Sequence, residues 1–272
     1  MKSGSEQSFY VHSERESGGS GAPSEEVVAT PATAGPWSLT AQHGGPPSGL
    51  LTRALERLLE PGQVLSRISV DLLGPVPVGP LRVTTTVERG GRSVSLLAAT
   101  LHDVVADRPC AVARAWVLPR STSGPGAPAP LPHGPADGTV GTLPPSWIEG
   151  YVDHVEWRWI RGGVLEPGAA TVWMRPRVPL LPGEALTGAA MLMTCVDSAS
   201  GVSAALDPSV WAFMNTELTV HLLREPVGAW VCVDAETTLG PGAAGIATSA
   251  VYDELGLVAR STQALLVTPR RS

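Results

Sequence analysis

The feature that most restricts this chain is an internal repeat. The run Ser66-Arg67-Ile68-Ser69-Val70-Asp71-Leu72-Leu73-Gly74-Pro75-Val76 is echoed by Glu217-Leu218-Thr219-Val220-His221-Leu222-Leu223-Arg224-Glu225-Pro226-Val227. The segments after the two runs repeat as well. Residues 81–103 hold two β-rich runs joined by Gly90-Gly91, and residues 230–253 hold two joined by a Gly/Pro/Ala stretch; the second runs end in Leu101-His102-Asp103 and Val251-Tyr252-Asp253. Each half then closes on a strand of small residues, at 111–117 and from 257 to 267. A repeat of this length implies two copies of one α+β unit, and such a pseudo-dimer lets a functional site form between unlike halves.

Within each half the local pattern is clear. Residues 9–13 and 26–30 read as short strands around a polar Gly/Ser-rich loop at 14–24. After Gln42-His43-Gly44-Gly45-Pro46-Pro47, the residues Leu50, Leu51, Ala54, Leu55, Leu58 and Leu59 recur at helical spacing. Pro46 or Pro47 falls in the first turn, where a missing N–H costs nothing, and Gly62 after Pro61 stops the helix. Three strands are expected after it. Residues 120–145 are dominated by Pro, Gly, Ser, Thr and Ala and read as an extended linker. The organisation expected is therefore an N-terminal unit at 1–119, a linker at 120–146 and a C-terminal unit at 147–272. The second unit opens with a hairpin-like pair, 152–161 and 169–178, turned by Gly162-Gly163 and Pro167-Gly168. Alternation puts Val155, Trp157 and Trp159 on one face, with Trp173 on the return strand. These tryptophans either line a ligand tunnel or form one sheet's core face or a dimer surface. Residues 183–199 read as a second helix, apolar nearly all round and so buried.

Composition narrows the function classes. With 272 residues, 43% of them hydrophobic, a core forms without staples, and Cys110, Cys195 and Cys232 make neither a disulfide framework nor a zinc site. A reducing, cytoplasmic compartment is expected, and the sequence shows neither an export signal nor an apolar run long enough to span a membrane. A net charge of −6 provides no basic stripe for a phosphate backbone, so no nucleic-acid partner is expected. No Gly-x-Ser-x-Gly elbow is present, and Gly240-Pro241-Gly242 is not followed by the Lys-Ser/Thr of a phosphate loop.

One helix wrapped by a mostly antiparallel meander, made twice, outlines an α+β double hotdog fold. The residues Gly35-Pro36-Trp37, Gln42-His43-Gly44-Gly45-Pro46-Pro47, Leu218-Thr219-Val220-His221-Leu222 and Thr262-Gln263-Ala264-Leu265-Leu266-Val267 resemble those of thioesterase-like proteins related to type II acyl-CoA thioesterases. The resemblance runs from about residue 9 to 269, outside the linker. It implies a triad of Asp, Thr/Ser and Gln orienting a water. By position Asp197 matches the Asp and Gln263 the Gln, while the hydroxyl position is held by Asn215, with Thr216 one step away. Only one of these two can face the site on a regular strand. An Asn amide can both donate to and accept from a water, so the triad expected is Asp197, Asn215 and Gln263.

The Gly44/Gly45 turn at the head of the first helix is the expected carbonyl-binding element, because unsatisfied N–H groups at a helix start stabilise an oxyanion. His43 either contacts substrate or fixes that turn, and His221, within a β-run, is expected to be packed rather than catalytic. The resemblance implies an acyl-CoA or acyl-carrier thioester substrate, no metal or redox cofactor, and a homo-oligomer. The alternatives are a non-catalytic acyl-thioester binding protein and a carrier-protein-dependent hotdog enzyme. A hydratase is not favoured, since no Asp-x-x-x-x-His opens either helix.

Overall fold

The computed structural model describes residues 7–13, 24–121, 124, 126, 129–130, 133–141, 147–164, 166–207 and 210–270. The first half contains β1 (Tyr10–His12), β2 (Ser24–Ala29), the short pair β3 (Ala34–Gly35) and β4 (Ser38–Gln42), helix α1 (Gly45–Glu56), then β5 (Gln63–Leu72), β6 (Pro80–Arg89), β7 (Ser95–Asp103) and β8 (Arg108–Pro119). The second half contains β9 (Val155–Gly163), β10 (Glu166–Pro176), helix α2 (Gly188–Val196), the turn of helix α3 (Ala199–Val202), β11 (Trp211–Leu222), β12 (Val231–Leu239), β13 (Ala244–Asp253) and β14 (Gly256–Pro269). Four strands come after α1, not three, because the repeated run at 66–76 contributes one of its own. The loop expected at 14–24 lies outside the described residues except for Ser24, which opens β2.

Among the described residues, twelve strands form one sheet in the order β1-β2-β6-β7-β8-β5-β11-β14-β13-β12-β10-β9. All pairings are antiparallel. Outward from the β5–β11 seam, the two halves carry the same order, which is the double hotdog expected. At the seam Val70 faces Leu218 and Ile68 faces Val220. These four are buried and face the helices, so Ile68 and Val70 correspond to Leu218 and Val220. That is one residue out of step with the gapless match of the two runs. The second run has one more residue before its proline, Arg224-Glu225 against Gly74, and this restores the match at Pro75 and Pro226. A one-residue slip would turn every strand side chain to the other face, so burial decides the alignment.

Helix α1 lies over β5 to β8 and α2 over β10 and β12, and the two helices pack on each other. The second helix starts five residues later than its composition suggests: Thr187 is its N-cap, accepting from Ala190 N–H, and Glu184 to Thr187 are irregular after a turn at Pro182-Gly183. In α1 the prolines do occupy the first turn, but the helix ends at Glu56, and Gly62 serves the left-handed turn into β5 (φ 85°). The helices approach through glycine. A Cβ on Gly45 would lie 2.2 Å from the Thr194 carbonyl oxygen, and one on Gly49 would lie 2.1 Å from Thr194 Oγ1. One apolar core runs through both halves, with Leu50 and Ile68 in the same cluster as Leu192 and Val220.

Of the Pro/Gly-rich stretch, Arg120 N–H donates to the Gly62 carbonyl of the first half, whereas Thr139 pairs with Trp159 and the Ala129 carbonyl accepts from Leu257 N–H, both in the second half. Trp173 pairs with Arg158 and therefore points to the opposite face from Trp157 and Trp159; its indole N–H donates to the His133 carbonyl.

Candidate active site

A cavity of about 530 Å³ opens where β5 and β11 part beyond the Asp71–Glu217 pair. Its polar end is built from both halves. Asp197 caps the C-terminus of α2 and is 4% exposed. A carboxylate there opposes its own helix dipole, and the geometry gives the reason: Asp197 lies on the N-terminus of α1. A Cβ on Gly44, the N-cap of α1, would lie 2.7 Å from each carboxylate oxygen, so only glycine leaves room for it.

Three side chains hold this acid in place. Asn215 Nδ2 donates to Asp197 Oδ1 at 2.5 Å. Strand β11 carries a bulge between Asn215 and Glu217, and Ala264 N–H, across from it, donates to Glu217 Oε1. Regular alternation from buried Leu218 would turn Thr216 inward; the bulge turns Asn215 inward instead and leaves Thr216 exposed, its Oγ1 donating to the Ala264 carbonyl. Gln263 does not reach the carboxylate. Fully buried in β14, it donates from Nε2 to the Asp197 carbonyl at 2.9 Å and accepts Ser200 N–H at Oε1 at 3.0 Å, which sets the turn between α2 and α3.

His43 supplies the third contact, its Nδ1 3.2 Å from Asp197 Oδ2. Gly45 N–H donates to the same Nδ1 at 3.0 Å, which assigns the ring proton to Nε2. Burial lowers the imidazole to about 3, so it is neutral. Burial also raises Asp197 to about 7, with the Asn215 hydrogen bond pulling the other way. A lone pair on Nδ1 facing Oδ2 is attractive only while Asp197 holds its proton. The contact is thus a carboxyl–imidazole pair rather than a salt bridge.

The turn expected to bind a carbonyl is narrower than the sequence suggests. Gly45 N–H is engaged by His43, Pro46 and Pro47 have none, and Ser48 N–H donates to Gly44 O, so Gly44 N–H is the donor left without a partner among the described residues. Tyr151 escaped the sequence reading. It stacks on His43 at 3.9 Å between centroids and donates from its hydroxyl to the Thr194 carbonyl at 2.8 Å, tying the His43 ring to α2. No periodicity marks it, since it sits in a turn before β9. His221, expected to be packed, is exposed on β11.

A helix-wrapping sheet made twice, with the buried carboxylate of Asp197 set between the halves at the floor of a cavity, is a double hotdog. Sequence profiles agree in both halves: the acyl-CoA thioesterase N-terminal domain matches residues 33–118 and the acyl-CoA thioesterase C-terminal domain matches residues 125–267. The chain belongs to the acyl-CoA thioesterase family. Among solved structures it resembles a conserved protein of unknown function with a hot dog fold from Alicyclobacillus acidocaldarius (17% identity, 93% of this chain and 96% of the other, TM-score 0.74). It also resembles the tesB protein of Mycobacterium avium subspecies paratuberculosis (16% identity, 93% and 96%, TM-score 0.68). A third likeness is to acyl-CoA thioesterase II TesB2 from Mycobacterium marinum (16% identity, 84% and 89%, TM-score 0.64). At these identities the likeness is one of fold. No curated protein matches the chain.

Proposed function

We propose that the protein hydrolyses an acyl thioester, most simply acyl-CoA, with Asp197 as general base. The observation that carries this reading is a buried carboxylate, raised to about 7, at the floor of an apolar cavity and against the N-terminus of α1. Asp197 takes a proton from a water held with Asn215 as the water oxygen attacks the thioester carbon. Gly44 N–H and the positive end of α1 stabilise the oxyanion; the C–S bond then breaks, and the thiolate leaves with the proton that Asp197 returns. Gln263 is a positioning residue, acting through the Asp197 backbone, and His43 fixes the turn beside the acid by accepting Gly45 N–H.

The test is thiol release from acyl-CoAs of graded length by the native chain and by Asp197→Asn. Release that falls at least about a thousandfold in the variant supports the reading, in line with the loss of a general base. Equal release by the two proteins removes Asp197 from the chemistry, and no release by either leaves the binding-protein reading.

A further inference from the structure

The cavity beyond Asp197 is walled by indole. Four of the chain's eight tryptophans, Trp37, Trp147, Trp157 and Trp159, line it, in a protein with only 5% aromatic residues. Trp157 and Trp159 lie two residues apart on β9 and so share a face of the sheet; their rings stack, with planes 13° apart and centroids at 6.3 Å. Trp157 Nε1 donates to the Val152 carbonyl at 2.8 Å, which fixes that indole, and Trp157 is half-buried at the cavity wall while Trp159 behind it is buried. The wall reaches the acid through two ring contacts: Trp157 meets Tyr151 edge to face, and Tyr151 stacks on His43. A second indole pair, Trp37 and Trp147, meets at 5.2 Å in a T-shape.

Rigid flat walls of this kind favour a rigid flat ligand. A straight alkyl chain gains only area and loses rotamer freedom when confined. An aromatic ring gains the same area plus offset-stacked or edge-to-face contacts and loses little freedom. From this geometry we infer that the acyl group of the thioester carries an aromatic ring a few carbons from the carbonyl, seated against Trp157 in the indole-lined cavity. The inference rests on the proposed thioester site and names its substrate class.

Binding is measured on Asp197→Asn, so that the thioester persists, by quenching of tryptophan fluorescence. Phenylacetyl-CoA is compared with octanoyl-CoA, which has the same number of acyl carbons, and 4-phenylbutanoyl-CoA with decanoyl-CoA. The aryl member of each pair should bind about tenfold more tightly, the effect of one or two aromatic contacts. In this background Trp157→Leu should erase most of that preference, whereas Trp157→Phe, which loses the same indole hydrogen bond but keeps a ring, should retain it. Equal or tighter binding of the alkyl members overturns the inference, as does a preference that survives Trp157→Leu in a protein with an unchanged melting temperature. Hydrolysis by the native chain is scored separately, so a protein that binds aryl thioesters without cleaving them counts against the hydrolase reading alone.

Discussion

At the scale of single residues the molecule turns on one acid held in an unfavourable state. Asp197 rises from an ordinary 3.8 to about 7 because burial penalises its charge. If the carboxylate is the base, kcat/KM should climb about tenfold per pH unit on the acid side and level off above about 7. Removing the Asn215 donor, which favours the charged form, should move that midpoint upward in Asn215→Ala. The same shift has a stability sign. Between 3.8 and about 7 the folded chain keeps a proton that the unfolded chain releases, so stability falls as pH rises through this window and is flat above it. Asp197→Asn removes the penalty. It should be more stable than the native chain at pH 8, by up to on the order of 4 kcal/mol, and little different at pH 4. Urea melts at the two values check this; an equal effect at both would mean that the acid is charged without penalty in the fold.

At the scale of elements the decisive contact is the crossing of α1 and α2, because it delivers the N-terminus of one helix to the C-terminal acid of the other. Gly49→Ala should cost about 1–3 kcal/mol from overpacking, since the new Cβ would overlap Thr194 Oγ1, partly offset by about 1 kcal/mol of helix propensity. Thr194 Oγ1 donates only to the Ala190 carbonyl within its own helix. Adding Thr194→Ala should therefore recover most of the loss, and a double variant as unstable as the single one would show that backbone contact sets the spacing. The elements also differ in how far their sequence discloses them. The α1 start was legible because proline at a helix head has a local cause, and α2 was legible as buried because eight of its residues, Ala189 to Val196, present no polar face. The choice between Asn215 and Thr216 was not legible from alternation. A bulge is a property of two strands in register, and the partner strand lies about fifty residues away in sequence. Gln263 was found by resemblance, but its bond to the Asp197 backbone rather than the carboxylate depends on how β14 meets the α2–α3 turn. The offset of the repeat likewise needed burial to correct it.

At the scale of the whole molecule the repeat is used asymmetrically. The bulge recurs in the first half between Leu65 and Arg67, so Leu65 stands where Asn215 does, and Ala115, facing Ile68 as Gln263 faces Leu218, stands where Gln263 does. One half supplies the acid and its amides, the other supplies Gly44, His43 and the helix start, and the duplicate site is filled by apolar side chains. Neither half contains all of these groups. The halves also share one core across a seam where Ile68, Val70, Leu218 and Val220 are all buried, and a separated half would forfeit part of the about 1.5–3 kcal/mol that burial of each contributes. The intact chain should therefore melt in a single calorimetric transition with equal calorimetric and van't Hoff enthalpies. Expressed separately, residues 1–119 and 120–272 should each release no thiol from an acyl-CoA, and refolding them together should restore activity with one site per pair. Activity in the second half alone would mean that Asp197, Asn215 and Gln263 suffice without the α1 terminus. Two resolved transitions in the intact chain would mean that the seam is an interface between independent domains, and the assignment of Gly44 and His43 to the site would then have to rest on the cavity alone.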